Sequence, residues 1–165
     1  MRGRSIGIVL ALLTVPAGCA STATLSRPTG RTATTLGPAV PPTVSEMARQ
    51  FQTAARTLNP AIDQAQREVA NASTIGALVN PCELYAEALA RFDYVLSHMG
   101  ASGQMKADIN RLVNDNVSTI DILASVGHQT TGTFSTWAAT FSEDSGQAKR
   151  ATAIVQNDLG LAPTG

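Results

Sequence analysis

Residues Met47–Val69, MARQFQTAARTLNPAIDQAQREV, decide the fold. Met47, Phe51, Ala55, Leu58, Ile62, Ala65 and Val69 recur at spacings of 4-4-3-4-3-4, which lays a single apolar stripe along an α-helix. Asn59-Pro60 interrupts the composition but not the stripe. Proline inside a helix removes one hydrogen bond and crowds the carbonyl four residues back. The phase nevertheless survives it, and Pro60 falls off the stripe. The spacing therefore predicts one kinked helix over Val44–Asn71, the alternative being two in-phase helices broken at Asn59.

Working outward, three further segments carry the same period. Asn80-Pro81-Cys82-Glu83 reads as a helix start, with an N-cap acceptor, proline at the first helical position and glutamate at the third. Tyr85, Leu89, Phe92, Leu96 and Met99 follow on one face, and Gly100 supplies the stop. A third helix is expected from about Ser102 to Val126, its drifting face formed by Met105, Ile109, Leu112, Val113, Val117, Ile120, Leu123 and Ala124. A fourth is expected from about Thr133 to Leu159, along Phe134, Ala138, Phe141, Ser145, Ala148, Thr152, Val155 and Leu159. Asp158-Leu-Gly-Leu161 reads as its C-terminal cap, with Gly160 turning left-handed and Pro163 forbidding continuation. No useful length alternates with period two. The joint at Gly100-Ala101 is short, which favours antiparallel neighbours. The fold class is all-α, an up-and-down four-helix bundle over residues 44–165, with the Thr74–Val79 loop packing across one end.

Composition agrees. Aromatic residues are only 4% of the chain and alanine is plentiful, a balance that favours close-packed helices over sheets. The formal net charge of the whole chain is zero, but its distribution is uneven. From Val44 onward there are eight Lys/Arg against twelve Asp/Glu, so the domain is mildly acidic. A nucleic-acid binder needs the reverse, with basic residues gathered on one face. Nucleic acid is excluded as the expected partner.

The first 43 residues have a different character. Arg2 and Arg4 precede a short apolar run from Ile6 to Val15, then Pro16-Ala17-Gly18 and Cys19. This is the order of an export signal, and the run is shorter than the roughly 20 residues a spanning helix needs. Ala20–Thr43, ASTATLSRPTGRTATTLGPAVPPT, has no acid, no aromatic residue and no helical period, so it reads as a flexible tether. Its Thr/Pro content also suits O-glycosylation of an exported protein. The organisation is thus a signal at 1–18, a tether from Cys19 to Thr43, and the helical domain.

Ala17-Gly18-Cys19 resembles the lipobox of bacterial lipoproteins, in which the cysteine receives diacylglycerol on sulfur and becomes the mature N-terminus. Pro16 departs from the pattern, which usually has an apolar residue there. A secretory signal cut after Ala20 or Ala23 and an uncleaved anchor are the alternatives, and all three export the chain. Lipobox, Thr/Pro tether and alanine-rich bundle together resemble a family of small exported lipoproteins of actinobacteria, mycobacteria among them. The likeness rests on LNPAID at Leu58–Asp63, YAEALARFDYVL at Tyr85–Leu96 leading into KADINRLV at Lys106–Val113, and a tryptophan-bearing last helix ending NDLGL at Asn157–Leu161. It implies an address on the outer face of the cell membrane and a helical shape. It brings no catalytic residue and no cofactor.

The sequence offers no catalytic set of its own. Gly-x-Ser-x-Gly, Ser-x-x-Lys and the phosphate-binding Gly-x4-Gly-Lys-Ser/Thr are absent. A bundle metal site would use Glu-x-x-His on facing helices, but Val95 and Ser125 stand three residues before His98 and His128. Both histidines instead fall at helix ends, where positive charge suits the dipole. Asp108, Asp115 and Asp121 read as a solvated face, and Asn116 and Ser145 lie at or near core stripes. Cys82, odd in number once Cys19 is acylated, reads as a buried small hydrophobe, with a free thiol or an intermolecular disulfide as alternatives. The expectation is a non-enzymatic binding or adaptor module, anchored through acylated Cys19 and meeting another envelope protein. The alternative is a carrier that holds a lipid or other apolar ligand between its helices near Phe92, Phe141 and Trp137.

Overall fold

A computed structural model of the chain describes residues 41–161, which form an all-α up-and-down four-helix bundle. The signal, Cys19, most of the tether and Pro163 lie outside the described residues. The helices are α1 (Val44–Asn71), α2 (Val79–Ser97), α3 (Gly103–Ala124) and α4 (Phe134–Asp158). Among the described residues there is no strand.

α1 is one continuous helix with Pro60 inside it. All seven residues of its stripe are buried, from Met47 to Val69, while Pro60 is exposed. Burial of the stripe on both sides of Pro60 offsets the hydrogen bond that the proline cannot make. The helix starts sharply at a capping box: the Thr43 hydroxyl accepts from the Glu46 amide, and the Thr43 amide donates to the Glu46 carboxylate at 2.7 Å. The Thr43 amide, and next the Thr43 hydroxyl, both donating to that carboxylate, hold the Glu46 carboxyl below its ordinary pKa.

The start of α2 differs from the expectation. Asn80 is not its N-cap; the helix begins at Val79, with Leu78 ahead of it and no side-chain cap. A 3-10 turn, Ile75–Leu78, runs straight into the helix, and its own start is capped by Thr74, whose hydroxyl accepts from the Ala77 amide. Asn80 is therefore already helical, and Pro81 sits in the first turn, where its missing N–H costs nothing.

Sequential helices pack side by side, and α1 and α4 approach each other less closely. A second 3-10 turn, Ser125–His128, joins α3 to α4 and meets the first turn at one end of the bundle. At the opposite end the α2–α3 joint turns at Gly100 (φ 71°), and a Cβ there would lie 3.0 Å from the Pro42 side chain. The chain before α1 thus crosses the α2–α3 turn, as alternating helix directions require. α4 ends in the expected cap. Gly160 has φ 68°, its amide donates to the Asn157 carbonyl, and the Leu161 amide donates to the Gln156 carbonyl at 2.8 Å.

The interior face of α3 corrects the expected stripe. Its buried residues are Ile109, Leu112, Asn116, Thr119 and Leu123, whereas Val117 and Ala124 are exposed. The helix keeps a regular 3-4-3-4 spacing only by placing two polar residues inside.

Candidate functional site

Three features carry polar or accessible chemistry: the α1–α2 seam, the aromatic start of α4, and a polar pair inside the α2–α3 seam. The α1–α2 seam is floored by small side chains, because Ala54 and Ala61 of α1 face Ala88 of α2. With Leu58, Leu84 and Phe92 they line a groove of about 220 Å³. Toward the α2 C-terminus it continues into a more open recess of about 390 Å³, rimmed by Arg49, Gln50, Tyr94 and His98. Tyr94 is 66% exposed and stacks on the His98 ring at 4.2 Å. His98 ends α2 as expected, its Nδ1–H donating to the Tyr94 carbonyl at 2.7 Å. His128 is exposed in the second 3-10 turn.

The expected contact residues do not share one pocket. Phe92 packs edge-on against Phe51 at 5.4 Å on the α1 side. Phe134, Trp137 and Phe141 form a separate stack along α4, with centroids 5.3 and 5.7 Å apart. Trp137 is buried, and its Nε1–H donates to the Ile122 carbonyl at 2.7 Å, near the C-terminus of α3. Its indole edge borders a shallow recess with Gly132, Thr136 and Thr140. The helix order explains the separation: α1–α2 and α3–α4 are different seams. Trp137, one position off the expected stripe, replaces Ala138 at the core because its ring reaches across to α3.

Cys82 is a buried free thiol. Burial, and next the charge of Glu83, push its pKa up to about 12, which keeps it protonated and poorly nucleophilic. Buried Tyr85 is likewise raised by desolvation. Among the described residues no group of three or more His, Cys, Asp or Glu could hold a metal ion. No described helix is long and apolar enough to cross a membrane.

Asp108 and Asp115 are half-buried rather than fully solvated, and only Asp121 is exposed as expected. Burial, then Glu143 and Asp115, raise the pKa of Asp144 on α4; burial and then Asp108 raise that of Asp158. The α3–α4 seam therefore places acid against acid at two levels.

Sequence reasoning passed over Asp93. It is 7% exposed, and its Oδ1 accepts from the Nδ2 of Asn116, itself 1% exposed, at 2.6 Å. Burial pushes the Asp93 carboxyl up to about 7, against the downward pull of that hydrogen bond. The signal was present in its position: Asp93 stands four residues after Leu89 and three before Leu96, on the apolar stripe itself.

No family model, no curated protein and no solved structure matches this chain.

Proposed function

We propose that the chain is a membrane-anchored cell-envelope lipoprotein, held on the outer face of the membrane through acylated Cys19, and that its helical bundle acts as a non-enzymatic binding or adaptor module. The observation that carries this reading is the placement of Cys19, directly after an apolar run and two small residues and directly before a 24-residue segment with no folding signal. The two ester-linked acyl chains of a sulfur-bound diacylglycerol, and an amide-linked third, add about 0.8 kcal/mol per buried methylene, so two or three chains anchor firmly. The likeness to small actinobacterial exported lipoproteins supports the same address. The α1–α2 seam is the contact surface we favour, since it combines an apolar floor with the exposed Tyr94 and the charged rim of Arg49 and Arg91.

The carrier reading keeps one supporting observation, the apolar groove beside Phe92. At about 220 Å³ the groove itself lies below the roughly 300–1,000 Å³ of typical ligand pockets, and the recess of about 390 Å³ into which it continues is open to solvent and rimmed by polar side chains. Trp137 and Phe141 belong to another seam, so they do not enlarge it. Surface contact is favoured over encapsulation.

Comparing the native chain with Cys19→Ala tests the anchor. The native protein is expected to take up an acyl label and sediment with membranes, while the variant loses both; an unprocessed, unlabelled native chain in the cytosol overturns the proposal. In-cell crosslinking from a photoreactive residue at Tyr94 then tests the contact surface. A protein adduct supports the adaptor reading, and a lipid co-purifying in native mass spectrometry replaces it with the carrier.

A further inference from the structure

The Asp93–Asn116 pair has a feature that its single hydrogen bond leaves unexplained. The second carboxyl oxygen of Asp93, Oδ2, and the amide oxygen of Asn116, Oδ1, are both buried and without a partner. Both are acceptors when Asp93 is ionised. A buried acceptor left unpaired is costly, and two on the same bonded pair is a pattern that asks for a shared donor. One proton supplies it. A carboxylic acid and a carboxamide form a two-bond ring in which the amide N–H donates to the acid carbonyl and the acid O–H donates to the amide carbonyl.

We propose that Asp93 is held protonated against Asn116 as such an acid–amide ring, a latch that joins α2 to α3, and that loss of this one proton opens it. When the proton leaves to water, Oδ2 becomes a second acceptor opposite Asn116 Oδ1, one bond is lost, and a negative charge remains in the core with no cation beside it.

The surroundings isolate the latch. The fully buried residues of α1 are apolar, its Gln66, whose Nε2 is also buried and unpaired, does not titrate, and the two 3-10 turns contribute Leu78 and Val126. α3 adds Asn116 and Thr119, and α4 adds Ser145, Thr152 and Gln156, none of which titrates. Cys82 and Tyr85 on α2 are buried and held neutral by their raised pKa values. The charged pair of that helix, Glu87 and Arg91, is exposed. Asp115 acts on Asp144, and Asp108 on Asp158, across the other seam. No charged side chain contributes to the shift of Asp93, whose causes are burial and Asn116 alone.

The sign of the pH dependence follows. The folded chain keeps a proton that the unfolded chain releases in the ordinary carboxylate range. The contribution of Asp93 to stability is therefore fully present at acid pH and falls as pH rises above the ordinary carboxylate range, by about tenfold in the folding equilibrium per pH unit, until the folded group ionises near 7. Above that it levels.

Urea unfolding of the full chain in detergent, at roughly pH 5 and roughly pH 8 on either side of the transition, tests the latch against Asp93→Asn. The substitution replaces the acid by an isosteric amide that can close the same ring without titrating. The native chain is expected to lose midpoint on going to the higher pH. Asp93→Asn is expected to remove most of that loss and to be the more stable of the two at the higher pH. Infrared spectra give an independent reading: in the native-minus-variant difference, the stretch of a protonated carboxyl should be present at the lower pH and fade at the higher, because the raised carboxyls of Asp144 and Asp158 cancel. The raised carboxyls of Asp144 and Asp158 titrate with the same sign but are common to both chains, so the difference reports Asp93. A native slope that survives undiminished in Asp93→Asn, or a native-minus-variant difference without the protonated-carboxyl band, overturns the proposal.

Discussion

α1 and α4 are both long helices with one face in the same core, yet they fill it with different chemistry. Every residue of the α1 stripe is apolar, from Met47 to Val69. α4 buries three stacked rings at its start, then Ser145, Thr152 and Gln156 among Ala148, Ala151 and Val155. Two of those polar groups return to their own helix: the Ser145 hydroxyl donates to the Ser142 carbonyl at 3.3 Å, and the Thr152 hydroxyl to the Ala148 carbonyl at 2.8 Å. Such bonds satisfy the hydroxyls but add nothing between helices. α1 is thus held by continuous burial, and α4 chiefly by its aromatic first half. A helix of the first kind can carry a proline in its middle; a helix of the second kind depends on a few anchors.

The largest effect is expected in the first half of α1. Phe51 is fully buried and meets Phe92 edge-on. Phe51→Ala removes a ring from a packed site and should cost about 3–5 kcal/mol, read from chemical unfolding. A loss below that of an exposed alanine substitution would show that α1 does not carry the core. The α4 counterpart is sharper. Trp137→Phe keeps an aromatic ring between Phe134 and Phe141 but deletes the donor to the Ile122 carbonyl, and should cost about 1–2 kcal/mol. If Trp137→Phe were silent, the stack alone would hold α4 and the bond to α3 would be incidental.

The same contrast governs how much of the molecule was legible in the sequence. α1 was read to the residue because apolarity and burial coincide there. The C-terminal cap of α4 was equally plain, since Gly160 is the residue that a left-handed turn favours. α3 was misread where the two part company: Val117 is apolar and 46% exposed, while Asn116 and Thr119 are polar and inside. A rule that follows hydrophobicity drifts to the wrong face at that point, and only the regular 3-4-3-4 spacing would have corrected it. Asp93 escaped for the same reason, and its partner lies 23 residues away on another helix, a separation no local pattern encodes. Asn80 misled because a capping signature was present, but the 3-10 turn before it had already started the helix from Thr74. Of the three aromatic residues grouped as one site, Phe92 is separated from the stacked Trp137 and Phe141 by topology, which places α2 and α4 in different seams.

Two smaller changes on α4 probe whether its polar half is tuned for stability. Gln156 is 1% exposed and its Nε2 has no partner. Gln156→Met keeps the length and flexibility of the side chain and removes the unpaired donor, so it should stabilise the fold by about 1 kcal/mol. Destabilisation would mean that the amide is satisfied by an ordered water. The smallest effect belongs to Asp144, where Glu143 and Asp115 act on a mostly solvated carboxyl. Solvent screens like-charge repulsion at such a site, so Asp144→Asn should gain only about 0.2–0.5 kcal/mol. The gain should shrink as salt is raised and vanish at acid pH, once the native carboxyl is protonated and its repulsion is already gone. A gain that persisted in high salt would locate the benefit in hydrogen bonding rather than charge, and would place α4 closer to α1 in kind, held by short-range packing along its whole length.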